Sequence, residues 1–195
     1  MRQITVQLTG ASPLLMHSIS LQTMEQMMKK VKKGGTGSIP SPEDEAEQGA
    51  YRMKSGELCI PARCIKACLV NASTWYKMGK KSAKQFIAGS VTIEPYEVGL
   101  GTKKYEIDLR TVVIQGKSRI VRARPRLDNW SVTFNIIYND KVMESEIIKQ
   151  IMEEAGYRIG LLDNRPQRGG ECGCFKVTGW KETEVKPIPI SRTRA

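Results

Sequence analysis

Near the N-terminus, Gln3 to Thr9 alternate polar and apolar, which sets Ile4, Val6 and Leu8 on one face of a strand that Gly10 ends. The period then changes. Leu21, Met24, Met27, Met28 and Val31 recur at helical spacing over 20–33, where Lys29, Lys30, Lys32 and Lys33 also fall. Residues 34–49 have the composition of a loop, with Gly, Ser and Pro giving way to Glu43, Asp44, Glu45 and Glu47. After Leu58-Cys59-Ile60, Pro61 stands where the first position of a helix is expected. Ile65, Cys68, Leu69, Ala72 and Tyr76 form one face of that helix, Arg63, Lys66, Thr74 and Lys77 the other, and Gly79 is expected to end it.

Residues 90–94 alternate again, Pro95–Glu106 reads as a hairpin-like excursion, and 107–114 reads as a further strand. Ser131 to Tyr138 alternates with Val132, Phe134, Ile136 and Tyr138 inward, and Asn139-Asp140 signals a turn. Val142, Ile147, Ile148, Ile151, Met152 and Ala155 mark a helix that Gly156 is expected to end. A loop follows, then a last strand around Phe175 and Val177 and a loose tail after Trp180. The order is that of an α+β protein with a ferredoxin-like, or RRM, βαββαβ core. We read one domain over 1–180, with insertions at about 20–57 and 95–106, and a tail over 181–195.

Charge adds a partner to this picture. Lys+Arg number 31 against 20 Asp+Glu, a net +11, which predicts a polyanion. An anionic membrane fits less well than nucleic acid, because no apolar run approaches the length of a bilayer span. The chain opens as a strand rather than a signal peptide, and its five cysteines are odd in number, so reduced thiols and a cytoplasmic setting are expected.

Two stretches concentrate candidate chemistry. The loop Gly160–Phe175 carries Arg165 and Arg168 among Gly169, Gly170 and Gly173. Glycine allows positive φ and close approach, free amides make anion sites, and arginine suits bidentate phosphate capture. A plain turn with solvated arginines is the alternative. The second stretch runs from 110 to 130, where Arg110, Lys117, Arg119, Arg122, Arg124 and Arg126 face one acid, Asp128. Arg122, Arg124 and Arg126 share parity, so an extended chain points them to one side. Trp130 follows as a candidate stacking platform for bases.

Three local features line up with a known family. Ile60-Pro61-Ala62-Arg63-Cys64-Ile65-Lys66-Ala67 resembles the I-P-x-S-S-x-K-G motif of the RAMP superfamily of CRISPR proteins, with Ala62, Cys64 and Ala67 departing from it. Gly160–Val177 resembles the RAMP glycine loop ending in G-x-F-x-V. The insertion after the first strand and the mid-chain hairpin are similar to those of Cas7-like backbone subunits. The resemblance implies a subunit that polymerises along a guide RNA, with Arg63 and Lys66 on the first helix and Arg168, Gly169, Gly170 and Gly173 in the loop against the RNA backbone. It also implies other effector subunits as partners, a homo-oligomeric helical array, and a thumb whose position only Pro95–Glu106 offers.

No catalytic group is expected. His17 is the sole histidine and follows an apolar run, and Asp108, Asp128 and Asp163 are single carboxylates without the spacing of a metal pair; Asp108 is the nearest candidate for target cleavage. Cys59, Cys64, Cys68, Cys172 and Cys174 lack zinc-knuckle spacing, so free thiols and no metal or cofactor are expected. Two rival classes remain: a phage-encoded Cas7 mimic acting as an anti-CRISPR interaction protein, and a single-stranded DNA-binding protein; an RNA-processing nuclease acting through His17 is a third.

Overall fold

The computed structural model describes residues 1–19, 40–114 and 118–184, with the backbone alone at 113–114 and 118–119. The methionine-rich helix expected over 20–33 and Lys117 lie outside the described residues.

The four alternating segments form one antiparallel sheet. β1 (Arg2–Gly10) lies between β11 (Phe175–Glu184) and β10 (Ser131–Tyr138), and β6 (Val91–Glu94) pairs with β10 at the edge. In chain order these are strands one, four, three and two, so the sheet runs 4-1-3-2, the ferredoxin-like order. The inward residues are those the alternation selects: Ile4, Val6, Leu8, Val132, Phe134, Ile136 and Tyr138 are buried. Each such side chain contributes roughly 1.5–3 kcal/mol. Two helices cover this face. α2 (Ala62–Ala72) lies between the first and second strands of the sheet, and α4 (Ser145–Arg158) between the third and fourth. They bury Ile65, Cys68 and Leu69, and Ile148, Ile151 and Met152. The fold is therefore α+β, with insertions.

Several elements differ from expectation, each for a physical reason. α1 (Pro42–Gly49) replaces part of the expected loop: Ser41 caps it, accepting from the Asp44 amide at 3.1 Å, Pro42 opens it, and Glu43, Asp44 and Glu45 sit at the positive end of its dipole. α2 stops at Ala72, not Gly79, because a 3-10 turn (Ser73–Trp75) leads into a small hairpin of β4 (Lys77–Met78) and β5 (Lys81–Ser82). Ser82 then caps α3 (Ala83–Ser90), its hydroxyl accepting from the Lys84 amide at 3.3 Å. Pro61 is the N-cap of α2 and the last residue of β3 (Cys59–Pro61). β3 pairs with β7 (Glu97–Gly99), so the start of the expected excursion is pinned beside α2. β11 continues through Glu184, beyond the expected start of the tail, because 181–184 pair with β1.

α4 runs past Gly156 to Arg158. Gly156 does not end the helix; it lets the helix touch β11, and a Cβ there would collide with the Phe175 carbonyl oxygen.

A second sheet joins β2 (Leu14–Leu15), β9 (Ser118–Leu127) and β8 (Glu106–Ile114). Residues 107–114 belong here rather than to the central sheet. This sheet holds the arginine-rich stretch, and the acids that its own sequence lacks arrive from elsewhere. Arg122 reaches Glu45 of α1 at 2.7 Å, and the other Glu45 oxygen accepts from the Ala123 amide at 3.1 Å. Arg124 Nε lies 2.9 Å from Asp163 Oδ2 in the glycine loop, an ion pair without the alignment of a hydrogen bond. Arg126 pairs with Asp128 at 2.6 Å and Asp108 at 3.6 Å, and Arg110 closes on Asp108 at 2.8 Å. The face that local charge marks as a phosphate site is a set of ion pairs tying β9 to α1 and to the loop. Asp108, the candidate cleavage acid, is buried between two of these arginines.

Gly→Ala inside a helix normally stabilises by about 1 kcal/mol. Gly156→Ala is expected to lower the urea midpoint instead, by an overpacking cost of about 1–3 kcal/mol; a raised midpoint would mean that α4 is not seated on β11. For Arg124 and Asp163, a double-mutant cycle of Arg124→Met and Asp163→Asn in urea unfolding should give a coupling of about 1 kcal/mol. Additive effects would remove the pair from the fold's support.

Candidate nucleic-acid interface

The loop between α4 and β11 is built by close backbone contacts. Gly160, Gly169 and Gly173 take φ of 71°, 77° and 72°, and Leu162 and Asn164 are also left-handed. Gly173 lies against the Leu161 carbonyl and Gly170 against that of Asn164, where a Cβ has no room. These approaches use the amides. The N–H of Leu161 donates to Gly173, Cys172 to Asn164, Gly170 to Arg165 and Gly173 to Pro13, at 2.8–3.1 Å. Cys174 N–H donates to the Ser12 hydroxyl at 2.9 Å. The expected nest of free amides is therefore largely closed. Gly169, Gly170 and Gly173 shape the loop, which leaves its side chains rather than its amides as candidate ligand groups.

The loop's first half faces α2. Between them lies a cleft of about 260 Å³, lined on the helix side by Arg63, Cys64, Ala67 and Asn71 and on the loop side by Gly160, Leu162 and Arg165. Arg165 is fixed: its guanidinium donates to the Leu162 carbonyl at 2.7 Å and to the Gln167 amide oxygen at 3.2 Å. Neither acceptor carries charge, so no carboxylate among the described residues offsets the guanidinium. Both guanidiniums act on Cys64: burial pushes its thiol up, and Arg63 and Arg165 pull it back.

Arginine pairing separates this cleft from the rest of the molecule. Ten arginines have described side chains, and seven of them (Arg2, Arg52, Arg110, Arg122, Arg124, Arg126 and Arg158) pair with carboxylates. The three without a carboxylate partner among the described residues are Arg63, Arg165 and Arg168, all on α2 or the glycine loop. Lys66, half-buried on α2, also lacks an ion pair among them. Arg168 is exposed and is the last residue of the Pro166–Arg168 turn.

The remaining candidates fall elsewhere. Arg119 lies on β9, away from α2 in sequence and sheet, and only its backbone is described. Trp130 is not a stacking platform: it is 6% exposed, covers Gly10, and its indole N–H donates to the Ser12 carbonyl at 2.9 Å. Nor does the open face of the central sheet offer aromatics. Opposite the core it shows Gln3, Thr5, Gln7, Thr9, Thr133 and Asn135 on β1 and β10, while Trp180 pairs in register with the inward Val6. A larger cleft, about 800 Å³ beside Trp130, mixes Lys104 and Arg126 with Glu106 and Asp128 and so has no excess charge for a polyanion.

His17 is exposed rather than packed in the core, and its carbonyl accepts from the Tyr51 hydroxyl at 3.3 Å. The five cysteines are free thiols. Cys59, Cys68 and Cys172 are buried, and the Cys172 sulfur accepts from the Asn164 amide at 3.4 Å. Among the described residues no group of three or more His, Cys, Asp or Glu is placed to hold a metal, and no helix is long and apolar enough to cross a membrane.

The side chains that sequence reasoning missed are tyrosines. Tyr96, between β6 and β7, is 88% exposed, and Tyr51 lines the same cleft as Tyr96 and Arg63. The only sequence signal for Tyr96 was an aromatic inside the Pro95–Glu106 excursion.

No protein-family model matches the chain, and no curated protein matches it. Among solved structures, it is similar to a chain in the cryo-EM structure of the Type III-B Cmr-beta bound to cognate target RNA, with a TM-score of 0.57 and 16% identity. The match covers 94% of this chain and 61% of that one. At this identity the likeness is one of fold.

Proposed function

We propose that this chain is an RNA-binding subunit of the Cas7-like, RAMP kind, which holds the phosphate backbone of a guide RNA in the cleft between α2 and the glycine loop. One observation carries the reading: the arginines left without carboxylates among the described residues are those of α2 and the loop, and Arg63 and Arg165 line one cleft. A half-buried guanidinium held by uncharged acceptors, as that of Arg165 is, is preorganised for a phosphate oxygen, with little side-chain entropy left to give up. The likeness in fold to a chain of an RNA-bound Cmr complex supports the same reading. So does the family pattern, since both motifs that resemble RAMP sequences converge on this cleft.

The role is binding rather than cleavage. Arginine side chains position a backbone without reading bases, so binding in this cleft is sequence-blind and strongly salt-dependent. A cleft of about 260 Å³ grips a single nucleotide step. Tight hold on a long strand would then come from many copies side by side, each binding in an effectively intramolecular step. Further copies of this chain and other effector subunits are the partners this arrangement calls for.

The test is fluorescence anisotropy with a short single-stranded RNA over a salt series. Arg63→Glu combined with Arg165→Glu should weaken binding by more than about tenfold and reduce the salt slope by about 0.7, for the one phosphate no longer neutralised. Arg126→Gln, in the ion-paired set, should leave affinity unchanged. Equal affinity of wild type and the double variant would refute the cleft. Tighter binding to DNA of the same sequence would move the function to single-stranded DNA.

A further inference from the structure

Beside the phosphate cleft lies a second one, of about 280 Å³, and Arg63 lines both. Tyr51, Tyr96, Pro61, Cys59 and Glu97 also line it. It is smaller than the roughly 300–1,000 Å³ of sites for drug-sized ligands, so it suits one ring system.

Tyr96 is the feature that the fold leaves unexplained. It is 88% exposed, so its ring buries almost nothing and supports no core. Yet its backbone is fixed. The Tyr96 carbonyl accepts from the Ala62 amide at 2.8 Å, and the next residue, Glu97, pairs with Pro61 across β3 and β7. An aromatic ring held out in solvent on an anchored backbone is what base stacking requires.

The polar groups of the cleft divide into spent and available ones. Arg52 is spent: it donates to both Glu47 oxygens at 2.6 and 2.8 Å and to the Gly56 and Lys103 carbonyls. Tyr51 donates its hydroxyl to the His17 carbonyl. Burial and the Glu97 and Glu57 carboxylates push the Cys59 thiol up to about 11, so it stays neutral. Glu97 is exposed and has no ion-pair partner among the described residues. As a carboxylate it only accepts hydrogen bonds. Guanine presents two adjacent N–H donors on its pairing edge, which match a carboxylate; uracil presents one N–H between two carbonyl oxygens that a carboxylate repels.

We propose that this second cleft receives one unstacked base of the strand whose phosphate lies at Arg63, that Tyr96 stacks on the base, and that Glu97 favours guanine over uracil. The proposal rests on the phosphate-cleft reading and adds a base site to it. Base stacking on an aromatic ring contributes enough to change affinity by about tenfold.

The test uses three short single-stranded RNAs of equal length: all uridine, uridine with guanosine at alternate positions, and uridine with abasic ribose at those positions. Wild type should rank guanosine above uridine above abasic, with about tenfold between first and last. Tyr96→Ala should bind all three as weakly as wild type binds the abasic strand, with that abasic affinity unchanged. Tyr96→Phe should keep the ranking, and Glu97→Gln should lose the preference for guanosine over uridine. Equal binding of the three strands by wild type would overturn the base site and leave the phosphate cleft standing. So would Tyr96→Ala weakening the abasic strand too, since Tyr96 would then act on the fold. Failure to bind even the abasic strand would overturn both.

Discussion

The turn from α4 into β11 has to fold back on itself at backbone distance, and the placement of the cleft depends on that. Gly156 lets the helix touch the carbonyl of Phe175, and Gly170 and Gly173 let the loop close against Asn164 and Leu161. A side chain at Gly156 would collide with the start of β11, and one at Gly170 or Gly173 would open the loop itself. With the loop closed, Arg165 is fixed by the Leu162 carbonyl and lines the same cleft as Arg63 on α2. The glycines therefore act on function at one remove. Their amides are bonded within the protein, and they let the loop that carries Arg165 close beside α2.

Charge is distributed by the same logic. β9 carries the densest run of arginines in the chain, and the fold uses Arg122, Arg124 and Arg126 for stitching. Glu45 of α1, Asp163 of the loop and Asp108 of β8 each meet one or more of them. Such pairs gain from partial burial but owe much of that to the cost of leaving either partner alone. Asp163 lies in the loop that carries Arg165, so the second sheet braces the loop from one side while α2 faces it from the other. The structural arginines and the available ones thus meet in a single loop.

The core was legible because its signal is periodic. Alternation identified Ile4, Val6 and Leu8 and Val132 through Tyr138, and the 4-1-3-2 sheet follows from strands placed that way around two amphipathic helices. α1 was legible too, in Ser41-Pro42-Glu43-Asp44-Glu45, but loop composition outweighed that capping signal. The ion pairs of the arginine run were not legible, for a different reason. Local charge counts cannot see acids that are distant in sequence, and Glu45 stands 77 residues from Arg122. Trp130 misled because an aromatic after basic residues looks the same whether it stacks on a base or, as here, covers a glycine. At Arg63 and in the glycine loop the residues came from family-like motifs. The structure adds that they line one cleft and lack carboxylate partners among the described residues.

The most direct measurement of the central claim is photo-crosslinking of a 4-thiouridine-containing RNA to the wild-type protein, with the crosslinked peptides identified by mass spectrometry. Crosslinks on α2 and the first half of the glycine loop, around Arg63 and Arg165, are the predicted result. Crosslinks concentrated on β9, around Arg122 to Arg126, with none on α2 or the loop, would contradict the account.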